Sequence, residues 1–210
     1  MRILFVLLLT AQSVLADGER AGEFDYYVLS LSWSPNWCAL EGDDRGSPQC
    51  EKGSGFGWVL HGLWPQFERG WPSYCSTNER NPSRADTAAQ ATLYGSAGSA
   101  WHQWNKHGRC SGLSSNDFYS LSRQAYDRVV RPEVFRKLSE PVKLPASVVE
   151  EAFLEQNPQL SKDQITITCK RGRIQEARIC LTRELEPRRC GNDVIRDCTL
   201  SDAGFAPLRR

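Results

Sequence analysis

The sequence predicts an α+β fold: a single domain with a central antiparallel β-sheet flanked by helices and rich in disulfides. Three observations predict it. Strand-like segments lie toward both ends of the 210-residue chain, with helical segments between them. Strand-like runs over 165–170 and 174–181 flank Arg171-Gly172, the strongest hairpin signal in the chain. Eight cysteines, an even number, follow a leader that marks export, and so read as four disulfides.

The elements follow in order. Met1-Arg2, the apolar run over 3–9 and Val14-Leu15-Ala16 give a basic start, a short apolar core and small residues at the cleavage positions. This is a secretory signal over 1–16, too short to span a membrane, and it leaves 17–210 as the domain. The protein is therefore expected to be secreted or periplasmic. Residues 24–33 alternate between apolar and polar side chains and read as a strand, ended by Pro35. Residues 39–55, bounded by Cys38 and Cys50, are rich in glycine and charge and read as a surface loop. A short buried strand over 57–64 is stopped by Pro65, and 66–82 is a loop with exposed aromatics. Residues 85–94 and 99–107 have helical composition. So do 117–130, 133–138 and 147–156, punctuated by Pro132, Pro141 and Pro145. Residues 165–170 and 174–181 form the hairpin.

Composition excludes some functions. Loss of Arg2 with the leader balances 25 basic residues against 25 acidic ones, so bulk charge does not favour a polyanion and any nucleic-acid site must be built locally. Zinc is the competing reading of the cysteines, but no C-x-x-C pair occurs and export favours oxidation. No later stretch is apolar enough to cross a membrane.

Chemistry concentrates in two segments. The three histidines, His61, His102 and His107, all fall within 58–65 or 101–110, each rich in tryptophan. Histidine exchanges protons near neutral pH, so this pattern points to acid–base catalysis. On a helix at about 100° per residue, His102, Lys106, Gln103 and His107 share one side, and Trp101, Trp104 and Gly108 the other. One face can thus bury two indoles while the opposite face presents two imidazoles, an ammonium and an amide. An ordinary amphipathic surface helix gives the same pattern. His61 lies in an apolar strand, where a buried core histidine is the plain alternative. Gly62 beside it removes bulk where a ligand or another part of the chain must come close. Trp64 and Trp71 can stack on a flat substrate, whereas Trp58 reads as core.

These segments resemble the signature regions of the ribonuclease T2 family. His-Gly-Leu-Trp-Pro at 61–65 is similar to its first motif and Trp-His-Gln-Trp-Asn-Lys-His-Gly-Arg-Cys at 101–110 to its second. The Ser32-Trp33 strand end, Trp-Pro-x-x-Cys at 71–75 and the late cysteines support the likeness. The resemblance implies metal-free cleavage of RNA through its own 2′-hydroxyl, without a cofactor and giving a 2′,3′-cyclic phosphate. It assigns His107 as general base, His61 as general acid and His102 to phosphate binding. Lys106 would stabilise transition-state charge, and Trp64 would belong to the main base site. It also implies the pairs Cys38–Cys50, Cys75–Cys110, Cys169–Cys198 and Cys180–Cys190. An RNA-only requirement follows because deoxyribose lacks the nucleophile, so RNA is the expected partner and DNA is not. A monomer is expected. One position departs from the family pattern: Gln103 stands where the family has glutamate.

Two other readings compete. A metal enzyme would use His61, His102 and His107 as ligands, although the Lys106 cation on that face opposes a divalent ion. A secreted RNA-binding or interaction protein of the same fold, weakened in catalysis, draws its support from Gln103.

Overall fold

Strand β1 (Tyr26–Trp33) is buried along its whole length inside the sheet. The computed structural model describes residues 19–210, so the leader expected at 1–16 lies outside the described residues. The other strands are β2 (Trp58–Gln66), β3 (Val142–Leu144), β4 (Ile165–Lys170), β5 (Arg173–Leu181) and β6 (Ala203–Phe205). Their order across the sheet is β2-β1-β5-β6-β3, with β4 also paired to β5. All pairings are antiparallel except a single parallel contact of β5 with β6, at Arg173 and Gly204.

Alternation along β1 sorts its side chains. Tyr27, Leu29, Leu31 and Trp33 enter the main core, and Tyr26 and Val28 enter a smaller cluster with Cys180, Cys190 and Val194. Ser30 and Ser32 are buried as well, because the second face of the sheet is covered rather than solvated. Trp33, Trp58, Phe135, Phe153 and Phe205 pack in the main core, with ring centroids 4.6–5.3 Å apart for Trp33–Phe205, Phe135–Phe205, Trp58–Phe153 and Trp33–Trp58. Such pairs add about 0.5–1.5 kcal/mol each beyond area burial.

The helices are α1 (Ser34–Trp37), α2 (Arg84–Ala89), α3 (Ala91–Tyr94), α4 (Ala97–Lys106), α5 (Ser115–Arg128) and α6 (Ala146–Gln156). Helices α4 and α5 contact β2, and α6 contacts β4. The helical stretch expected over 85–94 is two short helices meeting at Gln90, and 133–138 is a 3-10 turn over Glu133–Lys137. The loop expected over 39–55 contains a π-helical turn at Cys38–Gly42 and a 3-10 turn at Pro48–Cys50. Disulfides join Cys38–Cys50, Cys75–Cys110, Cys169–Cys198 and Cys180–Cys190. Among the described residues, no helix is long and apolar enough to cross a membrane.

Two local findings, in β2 and in the short strands β3 and β6, differ from expectation, and the turn of the hairpin agrees with it. Strand β2 does not stop at Pro65 but runs through it to Gln66. It is an edge strand, where proline's missing N–H costs no ladder bond. The short strands β3 and β6 lack any three-residue signal of their own; the buried Asn36 holds β6 instead. Its Nδ2 donates to Ile174 O (2.8 Å) and Gly204 O (2.9 Å), and its Oδ1 accepts from Ala206 N (3.0 Å). The hairpin turn has positive φ at both Arg171 (48°) and Gly172 (75°), the geometry of a type I′ turn.

Candidate active site

His61 occupies a β-bulge. Ser30 pairs with Gly62 and Leu31 with Leu60, so His61 is the extra residue between them. The bulge lets Leu60 and Leu63, three positions apart, both reach the main core, where strict alternation would put them on opposite faces. His61 and Trp64 are left partly exposed. A Cβ on Gly62 would collide with the Trp64 indole and the Gln103 amide, so the close approach foreseen at this glycine is made by side chains of the site itself.

A second irregularity shapes β5. Thr168 pairs with Glu176 and Cys169 with Ile174, which makes Gln175 the extra residue. Ile174, Ala177 and Ile179 then face the main core, while Glu176 meets His61. Both side chains reach across β1 above Ser30 and Ser32, whose small size leaves room for them. Glu176 Oε1 contacts His61 Nδ1, and Glu176 Oε2 accepts from Arg178 Nε (2.8 Å) and Nη2 (2.7 Å). Burial alone would raise the Glu176 carboxyl. The His61 and Arg178 charges outweigh it and hold the group down at about 2.

Helix α4 carries the second segment. Ser96 caps its start, the hydroxyl accepting from Ser99 N at 3.0 Å, and the helix ends at Lys106. His107 is the capping residue, still bonded through its N–H to Gln103 O (3.0 Å). The buried arc runs through Gln103, His107, Ala100, Trp104 and Gly108. Two indoles were expected inside, but only Trp104 is; Trp101 is 41% exposed. The buried face is rotated toward Gln103 because that side, and not the Trp101 side, meets Trp64 and Gly62 of β2. His102 and Lys106 stay on the open side, and Gln103 and His107 lie at the seam.

Two imidazoles flank the Trp64 indole. Its ring centroid lies 5.1 Å from that of His61, edge-on at 80°, and 5.3 Å from that of His107. Trp64 Nε1 donates to Gln103 Oε1 (2.8 Å), and the Arg178 guanidinium sits 5.3 Å from the Trp64 ring centroid. Burial pushes the His107 imidazole down to about 3, assisted by the charges of Lys106, His61 and His102. Its Nδ1 is buried without a hydrogen-bond partner, so nothing on that side stabilises a second proton. Burial, Lys106, His61 and Arg45 also lower His102.

Two cavities meet at His61, His102 and Gln103. The smaller, about 250 Å³, is lined by Trp64, Trp71, Val28, Lys106, His107 and Arg178 among others. The larger, about 720 Å³, is lined by Arg45, Gln49, Ser99 and Gln175 among others. Trp71 is 55% exposed at the rim of the smaller cavity. Its loop is tied down by Gly70 N donating to Asp193 Oδ2 (2.6 Å), and by Tyr74 N donating to Lys106 O (2.8 Å). The Cys75–Cys110 disulfide joins the same loop to the chain just beyond α4. Among the described residues, no three His, Cys, Asp or Glu side chains are grouped closely enough to hold a metal ion.

The Ribonuclease T2 family model matches residues 24–190, a span that contains both histidine segments, Glu176 and Arg178. The chain belongs to the ribonuclease T2 family. A "Ribonuclease" of Aeromonas hydrophila is 49% identical over 112 residues, covering 53% of this chain and 49% of that protein. The chain spans about half the length of the curated relatives it matches, 49% and 46% of them. The fold is similar to that of an RNase-related protein from Calystegia sepium, with a TM-score of 0.67, 17% identity and coverage of 90% of this chain and 99% of that one. It is also similar to RNase NT in complex with 5′-AMP, with a TM-score of 0.64, 18% identity and coverage of 89% and 100%.

Within this T2 chain, the structure brings His61, His102, Gln103, Lys106, His107, Trp64 and Trp71 to the lining of one cavity. Sequence reasoning missed Glu176 and Arg178, although a signal was present. An acid and a base occupy alternate positions in a strand whose Ile174, Ala177 and Ile179 serve the core, and a buried acid needs a partner. Val28, Gln66, Asp193 and Val194 complete the small cavity and give no such local signal.

Proposed function

We propose that the chain is a secreted or periplasmic endoribonuclease that cleaves single-stranded RNA by metal-free transphosphorylation, with residues 17–210 as its catalytic domain. It acts as a monomer and leaves DNA intact. The observation that carries this reading is the placing of two imidazoles on either side of Trp64, where two cavities meet, with His107 held in its neutral form. A metal-free transphosphorylation needs one group ready to take a proton and another ready to give one.

The reaction follows from those positions. Neutral His107 takes the proton of the ribose 2′-hydroxyl as its oxygen bonds to phosphorus. The bond from phosphorus to the 5′-oxygen breaks, and His61 gives its proton to that oxygen through Nε2, the ring nitrogen not engaged by Glu176. The products are a 2′,3′-cyclic phosphate and a free 5′-hydroxyl; His107 ends charged and His61 neutral. Lys106 and His102, on the open side of α4, stabilise the extra negative charge on the phosphoryl oxygens. Gln103 contributes as a donor. An indole N–H can only donate, so the Gln103 oxygen must face Trp64, which leaves its amide N–H groups for a phosphoryl oxygen. Trp64 and Trp71 stack on the base in the smaller cavity. Stacking tolerates any base, which supports low base specificity.

His61→Ala and His107→Ala are each expected to lower turnover on single-stranded RNA by roughly 10²–10⁴-fold, with unchanged circular dichroism. Near wild-type turnover in either variant overturns the assignment. RNA binding without cleavage by the unaltered protein supports a non-catalytic role instead.

A further inference from the structure

We propose that Glu176 is a positioning residue for the general acid: it fixes the His61 ring with Nε2 toward the substrate and stabilises its charged form. The proposal rests on the reading of His61 as the acid. It starts from an anomaly of the strand. Glu176 is 1% exposed in the sheet, between residues that serve the core, and a buried carboxylate is expensive unless it is paired. Both of its oxygens are engaged, one by His61 and the other by Arg178. Arg178 alone would neutralise the charge, so the contact with His61 is an additional use of it.

The contact decides two things about His61. Because Nδ1 faces an ionised carboxylate, that nitrogen must carry a hydrogen, which leaves Nε2 as the atom that exchanges a proton with substrate. The carboxylate also offsets the cations around the ring. His61 shares its cavity with His102, Lys106 and the capping His107 of α4, of which the Lys106 ammonium opposes a further positive charge. On the side of the Cys38–Gly42 turn, Glu41 is committed to Lys170 and to Arg45 (2.7 Å). Glu176 is thus the carboxylate in direct contact with the imidazole. His107 has no counterpart to it at Nδ1. The two histidines are therefore given opposite surroundings, one carboxylate-backed and one unsupported. Against the burial that would raise it, His61 and Arg178 together keep Glu176 ionised throughout the working range.

The test compares Glu176→Gln with the unaltered protein. The amide keeps the shape and a hydrogen-bonding oxygen but removes the charge. Two readouts separate the proposal from the reading beneath it. The first is an NMR titration of His61, which needs no catalysis: its midpoint should fall in Glu176→Gln, and an unchanged midpoint overturns the proposal. The second is kinetic. With RNA, whose 5′-oxygen needs a proton to leave, turnover should fall about tenfold or more, and the alkaline limb of kcat/KM should move to lower pH. With a uridine 3′-(p-nitrophenyl phosphate), whose leaving group needs no acid, the loss should be at least about tenfold smaller than with RNA. Equal losses on both substrates, with the alkaline limb unmoved, would mean that Glu176 has only a structural role. A shifted midpoint in a protein that cleaves neither substrate would retain the pairing and sink the catalytic reading of His61. Glu176→Asp, which restores charge at a shorter reach, should recover part of the titration shift but less of the rate.

Discussion

Gln103 shows how much one side chain decides in this site. Its oxygen is engaged by Trp64, and it is 3% exposed between the two cavities. A neutral amide there leaves His107 surrounded by burial and cations, which is why that imidazole sits far below its usual value. Gln103→Glu introduces a carboxylate beside it. Negative charge favours the imidazolium, so the His107 value should rise and the acid limb of the pH–rate profile should move to higher pH. The expected outcome is a narrower profile, with turnover changed most below pH 7. A profile that superimposes on that of the unaltered protein would make position 103 peripheral.

At the scale of elements, the bulge in β2 is what turns part of a core strand toward the cleft. It sends Leu60 and Leu63 inward and leaves His61 and Trp64 for the cleft. The packing around it leaves no room for a Cβ at Gly62. Gly62→Ala should cost about 1–3 kcal/mol, read from urea unfolding, and should lower kcat because Trp64 and Gln103 must shift. Unaltered stability and kcat would mean that the contact is soft. The bulge also explains what was legible in the sequence. His-Gly inside an apolar run marked both the strand and the special position, period-2 alternation marked β1, and the Arg171-Gly172 turn marked the hairpin of β4 and β5. The helix wheel placed His102 and Lys106 on the open side of α4, yet it could not set which edge of the helix meets β2, so Trp101 was expected inside. The Glu176–His61 pair joins residues 115 positions apart on strands that flank β1, and no local pattern announces such a contact.

For the whole molecule, the site is held by packing and by covalent ties at its margins. The Cys75–Cys110 bridge links the Trp71 loop to the chain just beyond α4 across 35 residues, and removing it should cost about 2–5 kcal/mol. Buried ionisable groups add a dependence on pH. His107 lies at about 3 when folded against 6.5 for an ordinary imidazole, so the unfolded chain binds a proton that the folded one refuses. Stability should therefore fall as pH drops from about 6.5 toward 3. Glu176, at about 2 against 4.5, adds a further loss below about 4.5. Urea midpoints measured from pH 7 to pH 4 should decline, and His107→Asn should flatten the upper part of that decline. Midpoints that hold level would contradict the burial of a neutral imidazole. The central claim, metal-free acid–base cleavage by His61 and His107, is tested most directly by end-group analysis. The protein is incubated in EDTA with a single-stranded RNA and with DNA of the same sequence, and the products are identified by mass spectrometry. The account predicts 2′,3′-cyclic phosphate and 5′-hydroxyl ends from the RNA, and intact DNA. Activity abolished by EDTA and restored by zinc, or 5′-phosphate ends, would contradict it.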